Sequence, residues 1–139
     1  MSDTDLTAVA VGDELPSIEF GPSSRWNLAL YAGASGDHNP VHIDIDFAKS
    51  AGMPDVFAHG MLSFGVLSRV VTEWAGISRL REFGARFVSI TQVHDLITFK
   101  ARVTERFEID GEPRARVALV AVTQDGRETL KGDAVVALV

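Results

Sequence analysis

The stretch from Gly60 to Ala75 constrains this chain most: apolar side chains occupy most of the helical circumference there, and the downstream half then switches to period-two alternation. Met61, Leu62, Phe64, Val66, Leu67, Val70, Val71 and Trp74 leave so little polar face that the helix must be enclosed by other structure. Gly76 ends it. Downstream, Phe83, Ala85 and Phe87 share one parity. Ile97, Phe99, Ala101 and Val103 then alternate with Thr98, Lys100 and Arg102, as in an antiparallel sheet with one wet face. Asp110-Gly111 falls between the alternating stretches 97–107 and 114–123, and Asp125-Gly126 precedes 128–138, so both read as hairpin turns. A buried helix followed by four strands in an antiparallel meander predicts an α+β fold, a sheet curled around its helix. One side of such a sheet lacks a cover, which a second subunit extending the sheet supplies.

The chain has 139 residues, 46% hydrophobic and 23% charged, which suits a single domain over 1–139; no repeat, low-complexity tract or Pro/Ser-rich linker divides it. In the first half, Val9 to Phe20 reads as a weak strand or entry segment. Pro22-Ser23-Ser24 offers a cap for a helix running through Trp26, Leu28, Leu30 and Tyr31 to a stop at Gly33. Ala34 to His42 is too rich in Gly, Asp, Asn and Pro for regular structure and reads as an ordered loop. Asp44 can cap a short helix that ends at Gly52, with Pro54 beyond it.

Charge and composition narrow the chemistry. A net charge of −6 argues against a phosphate backbone as partner, so no nucleic acid is expected. With no cysteine, disulfides, thiolate nucleophiles and zinc–thiolate sites drop out. Met1 to Leu6 is polar and acidic, unlike a secretory signal. The most apolar run, Met61 to Val71, is interrupted by Ser63, Ser68 and Arg69 and is too short for a bilayer. The expected location is the cytoplasm, with no membrane partner.

Carboxylate, imidazole and hydroxyl chemistry remain. Ser35-Gly36-Asp37-His38-Asn39-Pro40-Val41-His42 compresses a carboxylate, an amide and an imidazole into a stiff loop. General acid–base work needs groups held within hydrogen-bond reach of one water, and a Pro-restrained loop can hold Asp37 and His42 that way. The same residues also read as an Asx-type turn beside a solvated imidazole, and the residues alone leave both open. His38 is the weaker candidate of the neighbouring imidazoles. In Ala58-His59-Gly60-Met61, a Gly at a helix start can present its backbone N–H to an oxygen gaining negative charge; equally, Gly60 can serve close packing alone. His59 near the positive helix end is disfavoured as a cation and suits a neutral, hydrogen-bonded role. Ser68, eight residues beyond Gly60, can share a face with the helix mouth, or be a satisfied core polar. Asp37, His42, Asp44, Asp46 and His59 match no metal-ligand spacing, so neither metal nor cofactor is expected.

Tyr31-Ala32-Gly33-Ala34-Ser35-Gly36-Asp37-His38-Asn39-Pro40-Val41-His42, followed by Ala58-His59-Gly60-Met61-Leu62, resembles the MaoC-like, R-specific enoyl-CoA hydratase family. The likeness runs over nearly the whole chain and extends to the small β-subunits of mycobacterial-type 3-hydroxyacyl-thioester dehydratases. It implies a hot-dog fold that pairs into a dimer, either with itself or with a related hot-dog subunit. It further implies reversible syn hydration of a trans-2-enoyl thioester, carried on coenzyme A or acyl carrier protein, to the R-3-hydroxyacyl thioester. The family's catalytic carboxylate and imidazole fall on Asp37 and His42, its carbonyl-binding amide on Gly60 and its supporting hydroxyl on Ser68, with Asn39 shaping the loop. Asp37 and His42 would jointly hold a water and handle two protons, with the division between them open. The chain departs from the family at Gln92-Val93-His94-Asp95, where many members have a Pro-x-Gly-Asp-like turn; a different local shape is expected, with His94 a solvated turn residue. Two other readings are a non-catalytic hot-dog subunit, disfavoured by the presence of both Asp37 and His42, and a hot-dog thioesterase. The latter employs a carboxylate on the central helix, where this chain offers only Glu73 near the far end.

Overall fold

The computed structural model describes residues 5–139; Met1 to Thr4, and with them most of the polar N-terminal stretch, lie outside the described residues. The elements are β1 (Ile18–Phe20), α1 (Arg25–Ser35), α2 (Ile45–Ser50), α3 (Gly60–Ala75), β2 (Leu80–Phe87), β3 (Ile97–Ile109), β4 (Glu112–Thr123) and β5 (Glu128–Ala137). Short 3₁₀ turns stand at Leu6–Ala8, Pro40–His42 and Ile77–Arg79.

All strand pairs are antiparallel, in the order β1-β3-β4-β5-β2. The hairpin signals fall where expected. Asp110 and Gly111 both take positive φ (51° and 80°), the backbone that a two-residue hairpin demands. The meander, however, covers only β3, β4 and β5. β2 does not pair with β3; it lies beyond β5 at the far edge. Period-two alternation specifies strands and faces but not neighbours. The order follows from where α3 delivers the chain and from a glycine that lets β2 close on β5: a Cβ at Gly132 would stand 2.0 Å from the Gly84 carbonyl oxygen. The entry segment hydrogen-bonds along β3, Gly12 N–H to Val103 and Leu15 N–H to Ala101, although only Ile18–Phe20 forms regular strand.

α3 lies on the sheet. Val66, Leu67, Val70, Val71 and Ala75 join Phe99, Val103, Val117 and Leu130 in the main core. The helix is enclosed on one face rather than all round: Met61, Gly65, Arg69 and Glu73 are exposed at four-residue spacing, the last two as an ion pair at 2.6 Å. The fold is thus the expected hot-dog arrangement, α+β with an antiparallel sheet around a long helix. No helix among the described residues is long and apolar enough to cross a membrane.

A second, small cluster of Leu28, Ala48, Val56 and Ala58, flanked by half-buried Val41, Ile45 and Leu62, ties α1 and α2 to the head of α3. Ser24 caps α1 through the Asn27 N–H, and Asp44 caps α2 through the Asp46 and Phe47 N–H groups. The expected stop at Gly33 is corrected: the helix runs to Ser35, and Gly36 closes it at φ 76° with its N–H on the Ala32 carbonyl. Gly33 has nothing near it and tolerates the helical interior, whereas Gly36 supplies the left-handed turn.

Candidate active site

The loop after α1 is built by three oxygens two residues apart. Ser35 Oγ accepts the Asp37 N–H, Asp37 Oδ1 accepts the Asn39 N–H and Asn39 Oδ1 accepts the Val41 N–H, each at 3.2 Å. Each bond is a local Asx- or Ser-type turn that competes with regular structure. Pro40 then opens the 3₁₀ turn Pro40–His42, and the Asp44 N–H returns to the Pro40 carbonyl at 2.8 Å. The irregular stretch from Ala34 is therefore shorter than expected, with helix as far as Ser35 and 3₁₀ structure from Pro40. The turn-building reading of Asp37 and Asn39 holds, and it does not compete with a chemical role, because only Oδ1 of Asp37 is used and the residue is exposed.

His42 is buried, 9% exposed, and its Nδ1 lies 2.7 Å from the Phe57 carbonyl oxygen. A carbonyl only accepts, so Nδ1 carries a proton, and in the neutral ring Nε2 is the nitrogen with the lone pair. The Phe57 ring meets His42 edge-on at 4.9 Å. His59 stands behind it: the imidazole centroids are 4.1 Å apart and tilted by 30°, and His59 Nε2 faces the Asp37 carbonyl oxygen at 3.2 Å. Burial holds His59 below the ordinary imidazole range, outweighing the opposite pull of its bond to Asp37, so it is neutral. Asp37, His42 and His59 each bring one ligand atom within 4.8 Å of the others. That spread is looser than the ~3.4 Å between ligand atoms of a tetrahedral zinc site with bonds of about 2.0–2.1 Å.

Gly60 opens α3 directly beside this group. His59 precedes the helix without capping it, so the first N–H groups of a sixteen-residue helix point out unanswered by a side chain, at its positive end. On the other side of Gly60 lies a cleft of about 300 Å³ lined by Phe57, Gly60, Ser63, Phe87, Thr91 and Thr129. A Cβ on Gly60 would meet the Phe87 ring at 2.7 Å. A larger cavity, about 550 Å³, lies along Glu14, Leu15, Ser17 and β3–β5, and none of the candidate residues lines it.

The structure thus brings Asp37 and His42 together with His59, keeps Asn39 in the loop between the first two, and sets Gly60 next in the chain to His59 at the head of α3. It does not bring Ser68 there: its hydroxyl donates to the Gly65 carbonyl at 2.7 Å, within α3. Ser63, buried one turn into the helix, is the α3 hydroxyl that lines the cleft, alongside Ser89, Thr91 and Thr129; its place three residues after Gly60 was the available signal. His38 and His94 are exposed, the latter in the left-handed region at φ 74°. The turn around His94 bears on the site more than its sequence suggests. Asp95 accepts the Gln92 N–H and pairs with Arg127, each at 2.7 Å; Gln92 bridges to Phe57, and the Ala58 N–H reaches Thr91. This turn therefore holds the segment whose carbonyl receives His42.

Residues 11–125 match the MaoC-like domain family. The chain belongs to that family. Over 132 residues, 93% of the chain and 92% of the relative, it is 35% identical to the 3-oxo-4,17-pregnadiene-20-carboxyl-CoA hydratase beta subunit of Mycobacterium tuberculosis. Among solved structures, this MaoC-like chain resembles the unliganded R-hydratase PhaJ1 of Pseudomonas aeruginosa, with a TM-score of 0.82 and 26% identity over 96% of this chain and 84% of that one. It also resembles the ChsH1–ChsH2 complex of Mycobacterium tuberculosis, with a TM-score of 0.77 and 27% identity over 92% and 97% of the two chains. In other relatives the matching part is small. The chain covers 4% of a fatty acid synthase subunit beta of Aspergillus oryzae and 11% of the mouse peroxisomal multifunctional enzyme type 2.

Proposed function

We propose that this MaoC-like chain adds water reversibly to a trans-2-enoyl thioester, giving the R-3-hydroxyacyl thioester. The observation that carries the reading is the buried His42 imidazole, locked by Phe57 with Nε2 free, beside the exposed Asp37 carboxylate and the uncapped head of α3. Asp37 holds a water. His42 Nε2 takes one of its protons as the oxygen bonds to C3 of the substrate, and the same proton then passes to C2 of the enolate. One water is added and the enzyme is restored. The Gly60 N–H, at the positive end of α3, donates to the thioester oxygen as enolate charge develops. Asn39 keeps the loop in shape. Ser63 contributes the α3 hydroxyl that lines the cleft, and Ser68 can donate to a ligand only after giving up its bond to Gly65.

A thioesterase fits less well. Glu73 is exposed, paired with Arg69, and thirteen residues down the helix, about 20 Å from Gly60 at ~1.5 Å per residue. The substrate carrier is coenzyme A or acyl carrier protein, and the enzyme works in the cytoplasm. The assembly is a dimer through the free edge of β2, next to which Phe87, Val88 and Ile90 are exposed, made with a second copy or a related hot-dog subunit. The test is to incubate the purified chain with crotonyl-CoA, follow product mass, and measure molecular mass in solution on the same sample. Gain of one water is expected. Release of free acid would establish the thioesterase, and an unchanged substrate the non-catalytic subunit.

A further inference from the structure

His59 has features that its place at the head of a helix does not require. Ser, Thr, Asp or Asn would cap α3 better, and its side chain caps nothing. Its ring is 1% exposed, and Nδ1 is buried without a partner, which an apolar filler of the same size would avoid. The ring is nevertheless held from several sides: by Tyr31 at 4.8 Å, by His42 at 4.1 Å and by the Asp37 carbonyl. Because that carbonyl accepts, Nε2 carries the proton and Nδ1 the unused lone pair, a single tautomer.

The hydrogen bonds of the loop show what this achieves. Those from Ser35, Asp37, Asn39 and Pro40 stay within the loop and its flanks. Two bonds cross to another segment, and both go to residues 57–59. His42 donates to the Phe57 carbonyl, and His59 donates to the Asp37 carbonyl. Each segment gives the other one imidazole N–H and takes one into a backbone oxygen, with the two rings lying against each other between them.

We propose that His59 is a positioning residue for the hydration: its Nε2–H fixes the backbone of Asp37 while its ring sets the plane of His42, so carboxylate and imidazole keep one mutual geometry. This rests on the reading of Asp37 and His42 as the acid–base pair. Reacting groups displaced by about 1 Å lose about a hundredfold in rate, so a clasp that joins them through neighbouring main chain acts on kcat rather than on substrate affinity.

Three variants test this. His59→Gln keeps an N–H at about the reach of Nε2, His59→Asn moves it to the place of Nδ1, and His59→Phe keeps the ring without a donor. With crotonyl-CoA, His59→Phe and His59→Asn lose about tenfold or more in kcat with KM changed less than about threefold, and His59→Gln recovers most of it. In parallel, ¹⁵N–¹H spectra of the histidine rings show the His42 Nδ1–H as a protected signal in the wild type and His59→Gln, and exchange-broadened in His59→Phe. If His59→Phe does not fold, the contrast between Gln and Asn decides alone. Wild-type kcat in His59→Asn, or equal losses in Gln and Asn with the His42 signal unchanged, overturns the proposal. A wild-type chain that does not hydrate crotonyl-CoA removes the functional reading instead, and the ring spectra still report whether the clasp exists.

Discussion

The molecule holds two hydrophobic regions of unequal weight. Between α3 and the sheet, twenty buried side chains form one continuous core; beneath the candidate loop, four do, with partly buried neighbours around them. The large region is apolar throughout. The small one sits under the loop from Gly36 to Asp44, which packs on it through Val41 and is otherwise held by turn hydrogen bonds and two imidazole–carbonyl bonds. Buried apolar area is therefore concentrated away from the candidate site, and the hydrogen bonds that fix geometry are concentrated where little apolar area is buried. Substitutions in the two regions should separate: one set lowers the melting point, the other lowers turnover per folded molecule.

The sharpest break in that comparison comes from the proposed acid–base pair. Asp37→Asn and His42→Ala each lower kcat for crotonyl-CoA by about a hundredfold or more while leaving the far-UV spectrum intact and the melting midpoint within a few degrees. Next is Gly60. Proline is tolerated at the first helical position, and His59 already has the extended backbone that precedes a proline (φ −58°, ψ 129°), so Gly60→Pro removes a donor without breaking α3. It should cost about a hundredfold in kcat, whereas Gly60→Ala keeps the N–H, requires only that the Phe87 ring swing aside, and costs a few-fold.

Leu67 and Leu28, both fully buried, test the contrast directly. Leu67→Ala should destabilise toward the upper end of ~2–5 kcal/mol in urea unfolding and leave kcat per folded molecule unchanged; Leu28→Ala should cost less stability and lower kcat severalfold. Equal behaviour of the two variants would merge the regions. The smallest effect is on pH. His59 is held neutral below its unfolded pKa, so below about pH 6.5 the unfolded state binds a proton that the folded state resists, and stability falls as pH falls. Above that pH this contribution is fully present. Urea midpoints measured from pH 8 down to 5 should decline less in His59→Gln than in the wild type.

Much of the fold was legible because it follows from local periodicity. The apolar circumference of residues 60–75 gives α3, the two Asp-Gly pairs give the hairpins, and Ser24 and Asp44 act as the caps they resemble. The strand order was not legible. Which strand lies beside β5 depends on a close approach permitted by Gly132 and on how 88–96 crosses from the β2 edge to the place of β3 between β1 and β4, neither of which has a repeating signature. At the site, Asp37, Asn39, His42 and Gly60 were visible in two short motifs. Ser63 was hidden among core residues, and Ser68 looked better placed by helical spacing than its bond to Gly65 allows.

The sequence alone determined which groups its two motifs offer: the Asp37 carboxylate, the His42 imidazole, a glycine at a helix start, and no thiol anywhere in the chain. Those are properties of residue types and of spacing within a few turns of chain. Tertiary structure decided how they face one another, because the contacts that orient His42 come from Phe57 and His59, fifteen and seventeen residues away. Only a folded chain brings such partners within hydrogen-bond range, and there the direction of a carbonyl, invisible in the sequence, selects the tautomer of a ring.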